Sequence, residues 1–182
     1  VMRFCSALGY SGYQSFRIAL AQSMAFGVPA TNSAISRDDP NEVIVDKIFA
    51  YTLSSLDHTR RTLDTASVVA AIELMAEAKS LVFIGHGASN IIAQDAAQKF
   101  PLFGLPCAAP ADSHQQHMMA SMAQEGDTFT FISNTGRTAS ILDLIRIVAS
   151  HGASTVGIAG GQSPLIDMVD APIIVETHEN TD

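Results

Sequence analysis

Apolar residues change their spacing twice along this chain of 182 residues. At the start they recur at helical intervals. Val1, Phe4, Cys5 and Leu8 predict a first helix that Gly9 ends, because glycine tolerates the left-handed turn that closes many helices. A second helix is predicted from about Ser11, its capping residue, to Met24, with Tyr13, Phe16, Ile18 and Leu20 as its bulk. Two helices and a glycine turn are compatible with a helix-turn-helix, but shape alone favours an ordinary helical hairpin. From Gly27 to Asn41 turn formers take over, and Pro29 and Pro40 interrupt any helix, which predicts an interdomain linker. A long helix is expected over Glu42 to Leu63, with Val45, Ile48, Phe49, Thr52, Leu53 and Leu56 as its apolar stripe. Another follows over Ala66 to Ala78, capped by Thr65 or Ser67.

Beyond Lys79 the helical spacing gives way to short apolar runs separated by helical stretches. Leu81 to Ile84, Leu105 to Ala109, Thr128 to Ile132, Thr155 to Ile158 and Pro172 to Val175 predict five strands. Continuous apolar runs suit strands buried on both faces, and strand-helix alternation calls for right-handed crossovers. The expected fold class is α/β: a three-layer sandwich around a five-stranded parallel sheet, preceded by a helical remnant. Ligands in such sheets bind at the carboxyl ends of the strands, at the switch point of the topology.

Composition narrows the function. The net charge is -8, unsuited to a protein that coats nucleic acid without selectivity. Its distribution matters more: residues 1–37 hold Arg3, Arg17 and Arg37 and no acidic residue, while all 18 acidic residues follow. A basic end joins an acidic body. No apolar run approaches the ~20 residues of a membrane span, and no secretory leader pattern opens the chain. Cys5 and Cys107, far apart in apolar settings, read as reduced buried thiols, so a cytoplasmic location is expected.

Two strand-to-helix junctions carry the candidate chemistry. The first strand runs into Gly85-His86-Gly87-Ala88-Ser89-Asn90. Glycines admit a close ligand, and Ser89 lies where free helix amides favour an anion, although it could equally cap its own helix. It is a poor dinucleotide fingerprint, because Asn90 replaces the third glycine and no acidic residue ends the second strand. The third strand opens into Ser133-Asn134-Thr135-Gly136-Arg137-Thr138. Hydroxyls and an amide around a glycine turn at a helix start form an oxygen-rich anion cradle, more than capping requires. If strands one and three are neighbours, both loops face one crevice and phosphate binding is expected there.

The Gly-x-Gly-x-Ser turn, the Ser133 loop and the segment Ser163-Pro164-Leu165 resemble the sugar isomerase (SIS) domain, a phosphosugar-binding module, over Thr65 to the end of the chain. Upstream, VMRFCSALGYSGYQSFRIALAQ resembles the end of the helix-turn-helix of RpiR-family regulators, and AQDAAQKF and VETHENTD look closest to the HexR type. The resemblance implies a phosphosugar-responsive transcriptional repressor of sugar catabolism, with 2-keto-3-deoxy-6-phosphogluconate as its effector. It implies an effector site of Ser89, Asn90, Ser133, Asn134, Thr135, Gly136 and Thr138, with Asn90 departing from the small residue common in that turn. Arg3 would lie on the recognition helix. The implied domains are residues 1–26, the end of the helix-turn-helix; 27–41, a linker; and 42–182, the SIS domain without its last part. Operator DNA would be bound only by a full-length protein, as a homodimer.

Other candidates weigh less. His114 and His117, three residues apart near Asp112, could be metal ligands, but a solvated helix start or a lid over the sugar is the favoured reading, and no metal or cofactor is expected. Arg137 could reach phosphate, or equally point outward or into a subunit contact. Met118, Met119 and Met122 suit core or dimer packing. The rival function is a phosphosugar isomerase, whose general base would be Glu176, His178 or Glu179 near the end of the last strand.

Overall fold

The computed structural model describes Cys5, residues 12–17 and residues 35–176. Cys5 and residues 13–17 are helical, inside the first and second predicted helices; apart from Gly12, the other residues of those two helices, Arg3 among them, lie outside the described residues, as do His178 and Glu179. The described residues divide between two compact units, with the boundary between Asp57 and His58.

The first unit holds most of helix α1, Asn41–Thr62. Before it, Asp39 accepts from the Ser36 amide at 2.8 Å and pairs with Lys47 at 2.6 Å, and the Lys47 ammonium holds its carboxyl below the usual range. No residue of α1 is buried. The predicted stripe is present, but Val45, Ile48, Phe49, Leu53 and Leu56 all face outward.

The second unit contains the sheet. Helix α2, Thr65–Ala76, is capped by Asp64 rather than by Thr65 or Ser67. The carboxylate takes both the Ala66 amide, at 3.0 Å, and the Ser67 hydroxyl, at 2.8 Å, so an acceptor with two oxygens displaces the hydroxyl residues expected to cap. There follow β1 (Ser80–Gly85), α3 (Ala88–Lys99), a 3-10 turn (Phe100–Phe103) and β2 (Cys107–Ala108). Helix α4 (Ser113–Ser121), β3 (Asp127–Ile132), α5 (Ala139–Ser150), β4 (Ser154–Ala159), α6 (Pro164–Met168) and β5 (Ala171–Ile174) complete the unit.

The five strands are parallel in the order β2-β1-β3-β4-β5. From β1 the chain moves outward to β2, then returns to the other side as β3, so the switch point lies between β1 and β3. Strand β2 is shorter than predicted. Pro106 and Pro110 flank it, and proline gives no amide to a ladder; only the Pro106 carbonyl takes part, accepting from Leu81.

Alternation along the strands builds two cores. Val82, Ile84, Phe129 and Phe131 pack with Ala120 of α4, Ile141, Leu144, Ile145 and Val148 of α5, and Leu165 of α6. On the opposite face Leu81 and Phe83 meet Ala93 of α3 and Phe100, while Val156 and Ala171 meet Ala71 of α2. Gly157 admits Leu165 and Val169 so closely that a Cβ would collide with both. Both cysteines are free thiols; Cys5 is buried, and burial pushes the half-buried Cys107 thiol above its ordinary value. Among the described residues no helix is long and apolar enough to cross a membrane.

Candidate functional site

Two loops leave the sheet at the switch point. Gly85 ends β1 opposite Ile132 of β3, so the residues that follow each strand start side by side. A Cβ at Gly85 would strike the backbone of Ser89 and Asn90, which is why the helix can turn back so tightly over the strand end. The N-cap of α3 is Gly87, and no side chain caps that helix. Ser89 therefore does not serve as the cap; its half-buried hydroxyl stands in the first turn, where the Ser89 and Asn90 amides donate to the carbonyls of His86 and Gly87. The side-chain oxygen of Asn90 is buried with no hydrogen-bond partner among the described residues.

The second loop is braced against the end of β4. Ser133 donates its amide to Ile158, the Asn134 carbonyl accepts from Gly160 at 2.8 Å, and the Gly136 carbonyl accepts from Leu165. Ser133 is buried, and its hydroxyl accepts from the Gly136 amide at 3.2 Å, closing the turn. Gly136 has φ 58°, and a Cβ there would overlap the Ser163 hydroxyl, so glycine is required twice over. Thr138 is the N-cap of α5, yet its side chain makes no capping bond. Thr135 and Arg137 are exposed at the rim. Both helices at the switch point thus begin without a side-chain cap, beside hydroxyls from two loops, a polar start of the kind that can receive an anion.

A third element joins them. Gln116 of α4, fully buried, donates to the carbonyls of Gly85 (3.2 Å) and Pro110 (2.9 Å), and its side-chain oxygen lies 2.8 Å from Nε2 of His86. Nδ1 of His86 lies 3.4 Å from the hydroxyl of Ser140 in α5. Sequence reasoning passed over Gln116 and Ser140 and gave His86 no role. The available signal was weak: Gln116 stands one turn before Ala120, the small residue on its face of the helix. Ser163 was noted only as part of a motif; its buried hydroxyl, directly behind the Ser133 loop, has no hydrogen-bond partner among the described residues.

The remaining candidates are drawn elsewhere. Asp112 caps α4 through the amides of His114 and Gln115, and Nδ1 of His117 meets the Ser113 carbonyl. Among the described residues no group of three or more His, Cys, Asp and Glu is arranged around a common point. Met118 and Met122 are exposed, and only Met119 packs against the core. Glu176, half exposed, pairs with His58 at 2.8 Å, and its carbonyl accepts from Thr59. An apolar hollow of about 490 Å³ between α2, the 3-10 turn and the start of β1 is lined by residues such as Ile72, Met75, Phe100 and Phe103, which offer a phosphate nothing to bind.

The SIS domain family matches residues 74–181. The HTH-type transcriptional regulator HexR of Pseudomonas aeruginosa is 38% identical over all 182 residues, and the chain spans 64% of that relative's length. Among solved structures, the Vibrio vulnificus NanR protein complexed with ManNAc-6P is similar at a TM-score of 0.69 and 25% identity, over 96% of this chain and 61% of that one. Phosphoheptose isomerase GmhA from Neisseria gonorrhoeae shares the fold at a TM-score of 0.65 and 19% identity, over 78% of this chain and 90% of that one. The fold and the two glycine-turn loops agree with the family match: the chain belongs to the SIS domain family, and over its whole length it is similar to HexR.

Proposed function

We propose that this chain is the effector-sensing part of a transcriptional regulator that responds to a phosphorylated sugar or sugar acid. The single observation that carries the reading is the pair of side-chain-uncapped helix starts, α3 and α5, on either side of the switch point. Ser89, Asn90, Ser133, Asn134, Thr135, Gly136 and Thr138 form the effector site in this reading. The phosphate takes the amides and hydroxyls of the two loops, and the ligand's carbon chain extends along the crevice. The phosphorylated ligand in NanR supports this class of effector. The resemblance of AQDAAQKF and VETHENTD to the HexR type implies 2-keto-3-deoxy-6-phosphogluconate as the effector.

The full-length protein is proposed to be a cytoplasmic homodimer that reads operator DNA. Residues 1–26, including Arg3, would belong to its DNA-binding domain, residues 27–41 to the linker, and residues 42–182 to the sensor. An effector shifts such a dimer only by its difference in affinity for the two DNA-binding states, so it needs no turnover. That separates it from the isomerase alternative, in which a base must reach a substrate carbon; Glu176 is engaged with His58 instead.

Calorimetry against phosphorylated sugars and sugar acids, each beside its unphosphorylated counterpart and with turnover followed in parallel, tests the reading. Saturable, phosphate-dependent binding without turnover is the expected result, and Ser133→Ala weakens it while DNA binding by the full-length protein persists. Isomerised product would establish the enzyme instead.

A further inference from the structure

Gln116 is fully buried on α4, while His114, Gln115 and His117 around it face solvent. A buried primary amide must place two donors and one acceptor. The carbonyls of Gly85 and Pro110 fix which end is nitrogen, since the opposite orientation would set oxygen against two carbonyl oxygens. The Gln116 oxygen therefore faces His86, whose Nε2 must supply the proton of their 2.8 Å bond. Nδ1 is left as the acceptor for the Ser140 hydroxyl at 3.4 Å. One path of donors thus runs from the first turn of α5, through the residue between Gly85 and Gly87, into α4. It ends on the carboxyl end of β1 and on the loop after β2. The loops after three strands are tied together at the switch point.

We propose that His86 is a positioning residue of the anion site: fixed by Gln116 with its proton on Nε2, it sets the spacing between the Ser89 turn and the first turn of α5. This rests on the reading of those two loops as an anion site. His86 has no ligand contact in this role, because both ring nitrogens are spent within the chain. A site that must hold donors from two loops around one phosphate gains affinity from a brace that fixes their separation before the ligand arrives.

The test uses the whole chain, with 6-phosphogluconate as probe and gluconate as control. In long-range proton–nitrogen spectra of the histidine-labelled chain at about pH 8, where a histidine ring is ordinarily neutral, the His86 ring carries its proton on Nε2, and Gln116→Leu abolishes that preference. His86→Leu weakens probe binding about tenfold or more, the scale on which removing an orienting partner lowers a metal site's affinity. His86→Gln, which keeps a donor within reach of Gln116, recovers part of the loss. Ser133→Ala weakens binding with the tautomer unchanged. A proton found on Nδ1, or undiminished binding by His86→Leu, overturns the proposal; if that variant does not fold, undiminished binding by Ser140→Ala overturns it in its place. No saturable binding by the unsubstituted chain removes the anion site itself, and the positioning role with it. Binding that survives in His86→Leu removes the role alone.

Discussion

Two apolar patterns of similar strength in this chain meet opposite fates. The runs in β1, β3 and β4 are swallowed from both sides: Ile84, Phe131 and Val156 retain no exposed surface. The stripe on α1, equally regular, stays open to solvent, with Phe49 at 65% and Leu53 at 64% exposure. The difference lies in what each pattern demands. A strand with apolar residues on both faces is served by the chain itself, because each crossover lays a helix back over the sheet. A helix with one apolar stripe demands only some apolar partner, and periodicity does not name it.

The largest effect expected from that contrast comes from truncating matched residues. Phe131→Ala should cost about 3–5 kcal/mol of unfolding free energy, the range for a buried aromatic that leaves a cavity. Leu53→Ala should stay within about 0.5 kcal/mol, as exposed substitutions do. Denaturant unfolding of both variants at several protein concentrations measures the gap. Equal costs would break the comparison. A Leu53→Ala cost that grows with concentration would show that a second copy covers the stripe, since association adds stability by mass action.

A middle case sharpens the same contrast, since Gln116 is polar yet as buried as Phe131. Gln116→Leu preserves bulk but strips partners from the Gly85 and Pro110 carbonyls and from His86. Leaving buried acceptors unmet costs about 1–3 kcal/mol. A loss smaller than that of Leu53→Ala would mean that water replaces the amide and that the brace is not structural. The melting temperature at neutral pH decides it.

What could be foreseen from sequence follows the same division. Strands β1, β3 and β4 were legible because burial on both faces writes itself as a run. Strand β2 shrank from the predicted Leu105 to Ala109 because two prolines bound it. Helix α6, five residues beginning at Pro164, is too short to show a period. Of the candidate site, the glycine turns at the two strand ends were legible, because a tight helix start leaves little choice of residue. Gln116 was not: a glutamine in the run Ser113 to Ser121 has the same local signature whether it faces water or the ends of three strands. Asp64 was passed over for its hydroxyl neighbours, since only the folded turn shows one carboxylate serving both Ala66 and Ser67.

The smallest effect concerns that cap, which starts the helix between the two contrasted regions. Helix α2 buries Ala71 and leaves Val69 and Ile72 outside, so its start depends on local bonds more than the sheet helices do. The Ser67 hydroxyl, and then the Ala66 amide, hold the Asp64 carboxyl below its ordinary 3.8. A carboxyl depressed in the folded state contributes its stability above the unfolded value, and loses it as pH falls through the folded one. Asp64→Asn keeps an acceptor at the cap but removes the charge. The parent should therefore melt above the variant at about pH 6, with the gap closing as pH falls below about 4, where the carboxyl takes up its proton. Melting curves of both proteins over that range measure it. A gap that stays constant, or widens in acid, would mean that the α2 start is held by packing on Val156 and Ala171, and would move this helix to the sheet's side of the comparison.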